Sequence, residues 1–191
     1  MSSDATNSTL EMDQGVMIGR SLNDPDQSFR VELLGEKSRF SLRLRESNVA
    51  AFAKATGLAL PTKINSAYRD DDALIMCLAP DEWLIIAASE VGAPLQEKCK
   101  RHTASPFSLV DVSHRNVAFH IGGEGAAQLI NVGCPLDLDL AAFPVGKCTR
   151  TIFERAEIVL FRETETIFHI EIWRSFAPYF LSVLSNGGQA Q

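Results

Sequence analysis

Asp111, Ser113 and His114 bring together the residue types of a nucleophile, its general base and an orienting carboxylate, the set that carries acyl transfer. Their spacing argues against that chemistry. Ser113 and His114 are neighbours in a strand-like corner, where successive side chains point to opposite faces, and no glycine-flanked nucleophile elbow surrounds the serine. The stretch predicts a structural corner in which Asp111 and Ser113 bond nearby backbone. Gly122, Gly123 and Gly125 follow a strand pattern and open a helix, the setting of a dinucleotide loop. Yet they read GGEG rather than GxGxxG, and Glu124 would place a carboxylate where a pyrophosphate must lie. His120 and His169 occupy alternating strand patterns without a second ligand at metal spacing, which predicts hydrogen-bonded strand histidines. Asp70, Asp71 and Asp72 lack the glycine and distal glutamate of a calcium loop and predict a solvated turn. Cys77, Cys99, Cys134 and Cys148 are scattered too widely for a zinc or thioredoxin-like motif and read as reduced core thiols. Arg174 has the chemistry to grip a carboxylate or phosphate near a helix start, and equally to tie down the chain terminus or meet a neighbouring subunit. The sequence predicts no catalytic, cofactor-binding or metal-binding residue.

The elements that must position these residues are organised around 109–133. An apolar run ends at Leu109 and Val110, a polar corner follows, and Val117, Phe119 and Ile121 then alternate with Ala118 and His120 as a strand with one buried face. The glycines allow a sharp exit, Ala126, Leu129 and Ile130 share one helical face, and Gly133 is expected to close the helix as its C-cap. Upstream, residues 1–27 are rich in Ser, Asp, Asn and Gly and predict a flexible N-terminal arm. It is either a disordered tail or an extended arm that orders against a partner through Val16, Met17 and Ile18. Order is expected from Phe29, Val31 and Leu33. Phe40, Leu42 and Leu44 alternate with polar residues, Asn48 caps a helix with Val49, Phe52, Ala53 and Thr56 on one face, and Gly57 stops it. That order of parts matches 117–133, which suggests one domain over 28–191 made of two related halves, 28–105 and 106–191.

The remaining elements follow in sequence. Residues 58–67 read as a loop around Pro61, and two apolar runs joined by Ala79, Pro80, Asp81 and Glu82 read as a hairpin whose return strand starts at Trp83. Pro94 is placed in the first turn of a helix bearing Leu95, Lys98, Cys99 and His102. Strands over 148–153, 156–161 and 167–173 meander, with a polar turn over 162–166. A closing helix is expected to be capped by Ser175, to carry Phe176, Tyr179, Phe180, Val183 and Leu184 as its apolar stripe, and to be released by Asn186, Gly187 and Gly188. The fold class is α+β, with mixed or antiparallel sheets and packed helices.

Bulk properties narrow the function. A chain of 191 residues, 46% apolar and 22% charged, suits one soluble-type domain, and no apolar run approaches the roughly 18–20 residues of a membrane span. A formal charge of -6, with basic residues clustered only at Lys98, Lys100, Arg101 and His102, gives little basis for binding nucleic acid. Acids at the N-terminus, where a secretory signal carries bases, point to a cytoplasmic address.

Several short motifs then occur in one order: Asp111-Val112-Ser113-His114-Arg115, Gly133-Cys134-Pro135-Leu136-Asp137-Leu138, Cys148-Thr149-Arg150-Thr151 and Trp173-Arg174-Ser175-Phe176-Ala177. With the hairpin Ala79-Pro80-Asp81-Glu82-Trp83-Leu84, they resemble the gamma subunit of heterotetrameric sarcosine oxidase, from about Phe29 to the end. The resemblance implies a fold similar to the folate-binding domain of the aminomethyltransferases. It also implies a complex that oxidatively demethylates sarcosine to glycine, with hydrogen peroxide and 5,10-methylenetetrahydrofolate as products. FAD, FMN, NAD, tetrahydrofolate and zinc would then belong to its alpha, beta and delta subunits, and none to this chain. Where aminomethyltransferases place a catalytic aspartate, after the first strand of their C-terminal meander, this sequence has Phe153, Glu154, Arg155, Ala156 and Glu157. The expected role is a non-catalytic structural or assembly subunit. A stand-alone folate-binding or aminomethyltransferase-like protein is the alternative, and a generic interaction domain comes third. Trp83, His114, Arg115, Trp173, Arg174 and Phe176 are the candidate interface residues, by the Trp and Arg chemistry of binding anchors. For Trp83 a core position remains equally open.

Overall fold

Short runs of β-branched and aromatic residues, broken by turn-forming glycines, prolines and aspartates, fold into eleven strands and four α-helices among the described residues. The computed structural model describes residues 16–20, 28–102 and 106–187. The strands are β1 (Val16–Arg20), β2 (Ser28–Leu33), β3 (Lys37–Leu44), β4 (Ala67–Arg69), β5 (Ala73–Ala79), β6 (Glu82–Ala88), β7 (Phe107–Asp111), β8 (Asn116–Gly122), β9 (Cys148–Phe153), β10 (Ala156–Arg162) and β11 (Ile167–Trp173). The helices are α1 (Val49–Thr56), α2 (Ser89–His102), α3 (Ala126–Asn131) and α4 (Ala177–Gly187). A six-stranded sheet has the order β1-β2-β8-β11-β10-β9 and a five-stranded sheet the order β4-β5-β6-β3-β7. Every pairing is antiparallel.

The two sheets pack face to face. Leu74, Met76, Leu84 and Ile86 of the five-stranded sheet meet Cys148, Val159 and Phe161 of the six-stranded one. On the outer face of the six-stranded sheet, Phe119, Ile121, Leu160, Phe168 and Ile170 pack against Ala126, Leu129 and Ile130 of α3 and Phe180 and Leu184 of α4. Phe40, Leu42, Ile75, Trp83 and Ile85 do the same beneath Val49 and Phe52 of α1 and Leu95 and Cys99 of α2. The result is four layers: helices, sheet, sheet, helices. It also explains why β5 and β6 are apolar almost throughout, since both of their faces are covered.

The expected two halves are recognisable, but the cut near 105 does not separate the sheets. β7 follows α2 yet completes the five-stranded sheet beside β3, while β2 crosses to pair with β8 in the other. Nor is all of 1–27 an arm: residues 16–20 form β1, paired along β2, and the rest of that stretch lies outside the described residues.

Other expectations need correction for identifiable reasons. β4 lies in what reads as loop because it is three residues long and mostly exposed. α2 begins at Ser89, so Pro94 falls in its second turn, where only the Glu90 carbonyl loses an amide partner. Gly57 does end α1 with φ +69°, but Gly133 serves another purpose. A Cβ there would stand 2.8 Å from the Phe153 ring, so the glycine lets that buried ring close on the end of α3. Ser175 is not a helix cap; it lies within a 3-10 turn, Arg174–Phe176, that leads into α4. In that helix Phe180 and Leu184 face inward while Phe176 and Tyr179 are exposed. Arg162, expected in a polar turn, is buried at the end of β10, where its Nη1 donates to the carbonyls of Leu138 and Phe143 at 2.8 Å each. Gly188 lies outside the described residues.

Candidate functional site

The corner between β7 and β8 is structural, as its residue spacing predicts. The Ser113 hydroxyl donates to Asp111 Oδ1 at 2.6 Å and its oxygen accepts the Arg39 backbone N–H at 2.9 Å. These bonds from Ser113 hold the Asp111 carboxyl below the usual carboxylate range. His114 is exposed beside them and takes no part in either bond. The corner therefore ties β7 to β3 and does not arm a nucleophile. Asp70 likewise closes its turn by accepting the N–H groups of Asp72 and Ala73 at 3.0 and 2.8 Å. The four cysteines are buried, and none of them is in a disulfide.

Between the sheets, on the side where β3 faces β8 and β11, the packing turns from apolar to ionic. Arg39 Nε donates to Glu171 Oε2 at 2.6 Å, and Glu171 Oε1 lies 3.0 Å from His169 Nε2. All three side chains are almost fully buried. Burial pushes the Glu171 carboxyl up, but His169 and Arg39 outweigh it and hold the group below its ordinary value. A buried charge pair of this kind is tolerable only because each partner is bonded.

Next to that pair lies a second cluster. Antiparallel register sets His169 opposite His120, with ring centroids 5.4 Å apart, and the turn after β10 swings Glu163 over them. His120 Nε2 and Glu163 Oε2 stand 3.1 Å apart, poorly aligned for a hydrogen bond. Glu163 Oε1 accepts from Arg69 of β4 at 2.6 Å. His120, and then the charge of Arg69, keep the Glu163 carboxyl below its ordinary range against the effect of burial. His120 Nε2, Glu163 Oε2 and His169 Nδ1 lie within 4.8 Å of one another. His120 and His169 border a cleft of about 440 Å³ also lined by Lys37, Arg69, Asp70 and Leu74. His169 is bonded within its strand, as expected, and the fold also sets both histidines beside Glu163. Spacing along the chain does not reveal residues that pair across strands 49 positions apart.

A third network joins the sheets at the opposite end: Glu82 Oε1 accepts from Arg150 at 2.5 Å and its Oε2 from Arg43 at 2.9 Å. Hydrogen bonding from Arg150, with the charge of Arg43 added, lowers the Glu82 pKa against the penalty of burial.

The predicted interface residues divide. Trp83 is 1% exposed and its indole N–H donates to the Pro61 carbonyl at 2.8 Å, so it is a core residue. The other five are exposed and cluster where β8 begins and β11 ends. Trp173 pairs with Asn116, Arg115 Cζ lies 5.7 Å from the centre of the Trp173 ring, and the Arg174 N–H donates to the Arg115 carbonyl at 2.8 Å. Phe176 and Tyr179 follow on the same stretch of chain, at 37% and 38% exposure beside 42% for Trp173. Among the described residues, the Arg174 guanidinium reaches the exposed Glu36, at 3.9 Å. Sequence reasoning missed Arg39, Arg69, Glu82, Glu163 and Glu171, although Glu171 is two residues from His169 and shares its face of β11.

Paired antiparallel sheets between helix layers define the fold class of the protein. The same fold is found in the glycine cleavage system aminomethyltransferase T of Bartonella henselae, with a TM-score of 0.61 and 13% identity over 81% of this chain and 44% of that one. It matches more fully a chain of the heterotetrameric sarcosine oxidase of Corynebacterium sp. U-96, solved with pyrrole 2-carboxylate, with a TM-score of 0.74 and 24% identity over 84% of this chain and 83% of that one. The chain belongs to the sarcosine oxidase gamma subunit family, whose model matches residues 45–189. It is 29% identical to the sarcosine oxidase subunit gamma of Corynebacterium sp. (strain U-96) over 131 residues, covering 68% of this chain and 63% of that one. For the corresponding Arthrobacter sp. subunit, identity is 27% over 122 residues, covering 63% of this chain and 60% of that one. The match thus spans somewhat less than two thirds of the length of these relatives. Among the described residues, no helix is long and apolar enough to cross a membrane.

Proposed function

We propose that the chain is a non-catalytic assembly subunit of a cytoplasmic, heterotetrameric sarcosine oxidase, held against alpha, beta and delta subunits through the surface of Arg115, Trp173, Arg174 and Phe176. In this reading the complex converts sarcosine to glycine with hydrogen peroxide and 5,10-methylenetetrahydrofolate as products. FAD, FMN, NAD, tetrahydrofolate and its zinc lie on the other subunits. Membership of the gamma subunit family supports the assembly. The observation that carries the role is the exposed cluster of two aromatics and two arginines, unusual for a free surface and typical of interface anchors.

The alternative, a stand-alone folate carrier, needs a basic pocket for the glutamate tail. Of two wide clefts among the described residues, the first, about 440 Å³, mixes Lys37 and Arg69 with Glu36, Asp70, Asp71 and Asp72, and in the second, about 490 Å³, Glu124, Asp137, Asp139 and Glu165 outnumber Arg162. Co-expression with the three partner chains tests the proposal: tagged wild-type chain should recover all of them, whereas Arg174→Ala should recover at least ten-fold less while melting unchanged. Normal recovery by the variant removes Arg174 as an anchor, and failure of the wild type to recover any partner refutes the assembly role. Calorimetry with tetrahydrofolate should give no heat on the chain alone, and micromolar binding would establish the carrier reading instead.

A further inference from the structure

We propose that His120 Nε2, His169 Nδ1 and Glu163 Oε2 form a binding site for one divalent transition-metal cation of the zinc class. Each of these atoms is buried; His169 Nδ1 has no partner in the protein, and His120 Nε2 and Glu163 Oε2 face only each other, at 3.1 Å. An imidazole nitrogen or carboxylate oxygen hidden from solvent without a partner is costly. Here the three atoms converge within 4.8 Å, a pattern that a shared cation resolves in one step.

The surroundings prepare each donor. His169 is 4% exposed and its Nε2 faces Glu171 Oε1 at 3.0 Å. A proton on that nitrogen satisfies the carboxylate and leaves the Nδ1 lone pair directed at the cluster, the carboxylate-histidine arrangement that orients and strengthens metal-bound imidazoles. Arg39 fixes Glu171 from the facing sheet. Arg69 occupies Glu163 Oε1 and leaves Oε2 to the site. The 3.1 Å between His120 Nε2 and Glu163 Oε2 suits two adjacent ligands, because bonds of about 2.0–2.1 Å at tetrahedral or right angles put donor atoms about 2.9–3.4 Å apart. Two imidazoles and one carboxylate favour zinc and its neighbours over calcium or magnesium, which prefer oxygen alone. The two histidines also line the cleft that Arg69 and Asp70 border, a route by which an ion could enter. A cation there would clamp β8, β11 and the β10–β11 turn together on the inner face of the sheet, a structural task that needs no catalysis.

Calorimetric titration of the chelator-stripped full chain with zinc chloride tests the site. One ion should bind per chain, and zinc should raise the melting temperature. Cobalt(II) in its place should give only weak visible bands, without the intense near-ultraviolet band of sulfur coordination. His120→Asn and Glu163→Gln, both at partly exposed positions, should each weaken zinc binding on the order of ten- to hundred-fold or more and abolish the zinc-dependent rise in melting temperature. Absence of binding to the parent chain overturns the proposal. So does unchanged affinity in both folded variants, or a sulfur charge-transfer band, which would place the ion on thiolates. Should neither variant fold, the stoichiometry and the cobalt spectrum of the parent chain decide.

Discussion

The two sheets are built to one plan. Counting from the outer hairpin, β4-β5-β6-β3-β7 and β9-β10-β11-β8-β2 are the same succession, and in each the strand that leads into the first helix of its half, β3 into α1 or β8 into α3, lies fourth. The halves differ in where the fifth strand comes from. In the five-stranded sheet it follows α2 along the chain; in the six-stranded sheet it is β2, which precedes everything else in that sheet except β1. Each half therefore lends a strand to the core of the other. This arrangement predicts that the layers unfold as one cooperative unit even though the plan is duplicated, because neither half alone can pair both edges of its own fourth strand.

Cutting the chain between residues 105 and 106 should produce the largest effect. Each fragment alone is expected to lack a cooperative melting transition, and mixing or co-expression should restore one. Independent melting of either fragment would show the halves to be separable domains. The next effect concerns the polar side of the contact between sheets. Glu171→Leu leaves the Arg39 guanidinium buried without its carboxylate and should cost about 3–5 kcal/mol in urea unfolding, while Arg39→Met with Glu171→Leu should recover much of that loss. A double variant as unstable as the single one would mean that the pair supplies more than mutual neutralisation. Gly133→Ala, confined to the outer face of one half, should cost about 1–3 kcal/mol because its Cβ meets the buried Phe153 ring; a loss within measurement error would mean that the ring yields freely.

The smallest effect is in pH. The folded-state pKa of Glu82 is depressed, so its contribution is fully present above the unfolded-state pKa and is lost as pH falls through the folded-state value. The urea midpoint of Glu82→Gln should therefore lie below that of the parent chain near neutrality and converge on it in acid. A constant gap would assign the effect to shape rather than charge.

Much of the local architecture was legible because period-two burial and turn chemistry act at short range. The 148–153, 156–161 and 167–173 strands, the Pro80 hairpin and the Gly57 cap all follow from neighbours within a few residues. Strand exchange did not show, because no local signal says that β2 will prefer β8 over a partner next to it in sequence. The ionic layer was hidden for the same reason. Arg39 and Glu171 are 132 residues apart, and each read alone is an ordinary charged residue on a strand. Trp83 and Trp173 illustrate the limit from the other side. One residue type gave a core anchor and a surface anchor, and what distinguishes them is the helix layer and the Pro61 loop that cover Trp83.

Cys148, fully buried where the two sheets meet, gives the molecule a built-in clock. Burial first, and the nearby Cys77 second, push its thiol up to about 12, so at pH 7 only roughly one molecule in 10⁵ carries the reactive thiolate while the layers are closed. Alkylation at that position must then wait for the sheets to part. The rate at which Cys148 is labelled measures how often they do, and a partner subunit or ion that steadies the contact will register as a slower reaction at a sulfur it never touches.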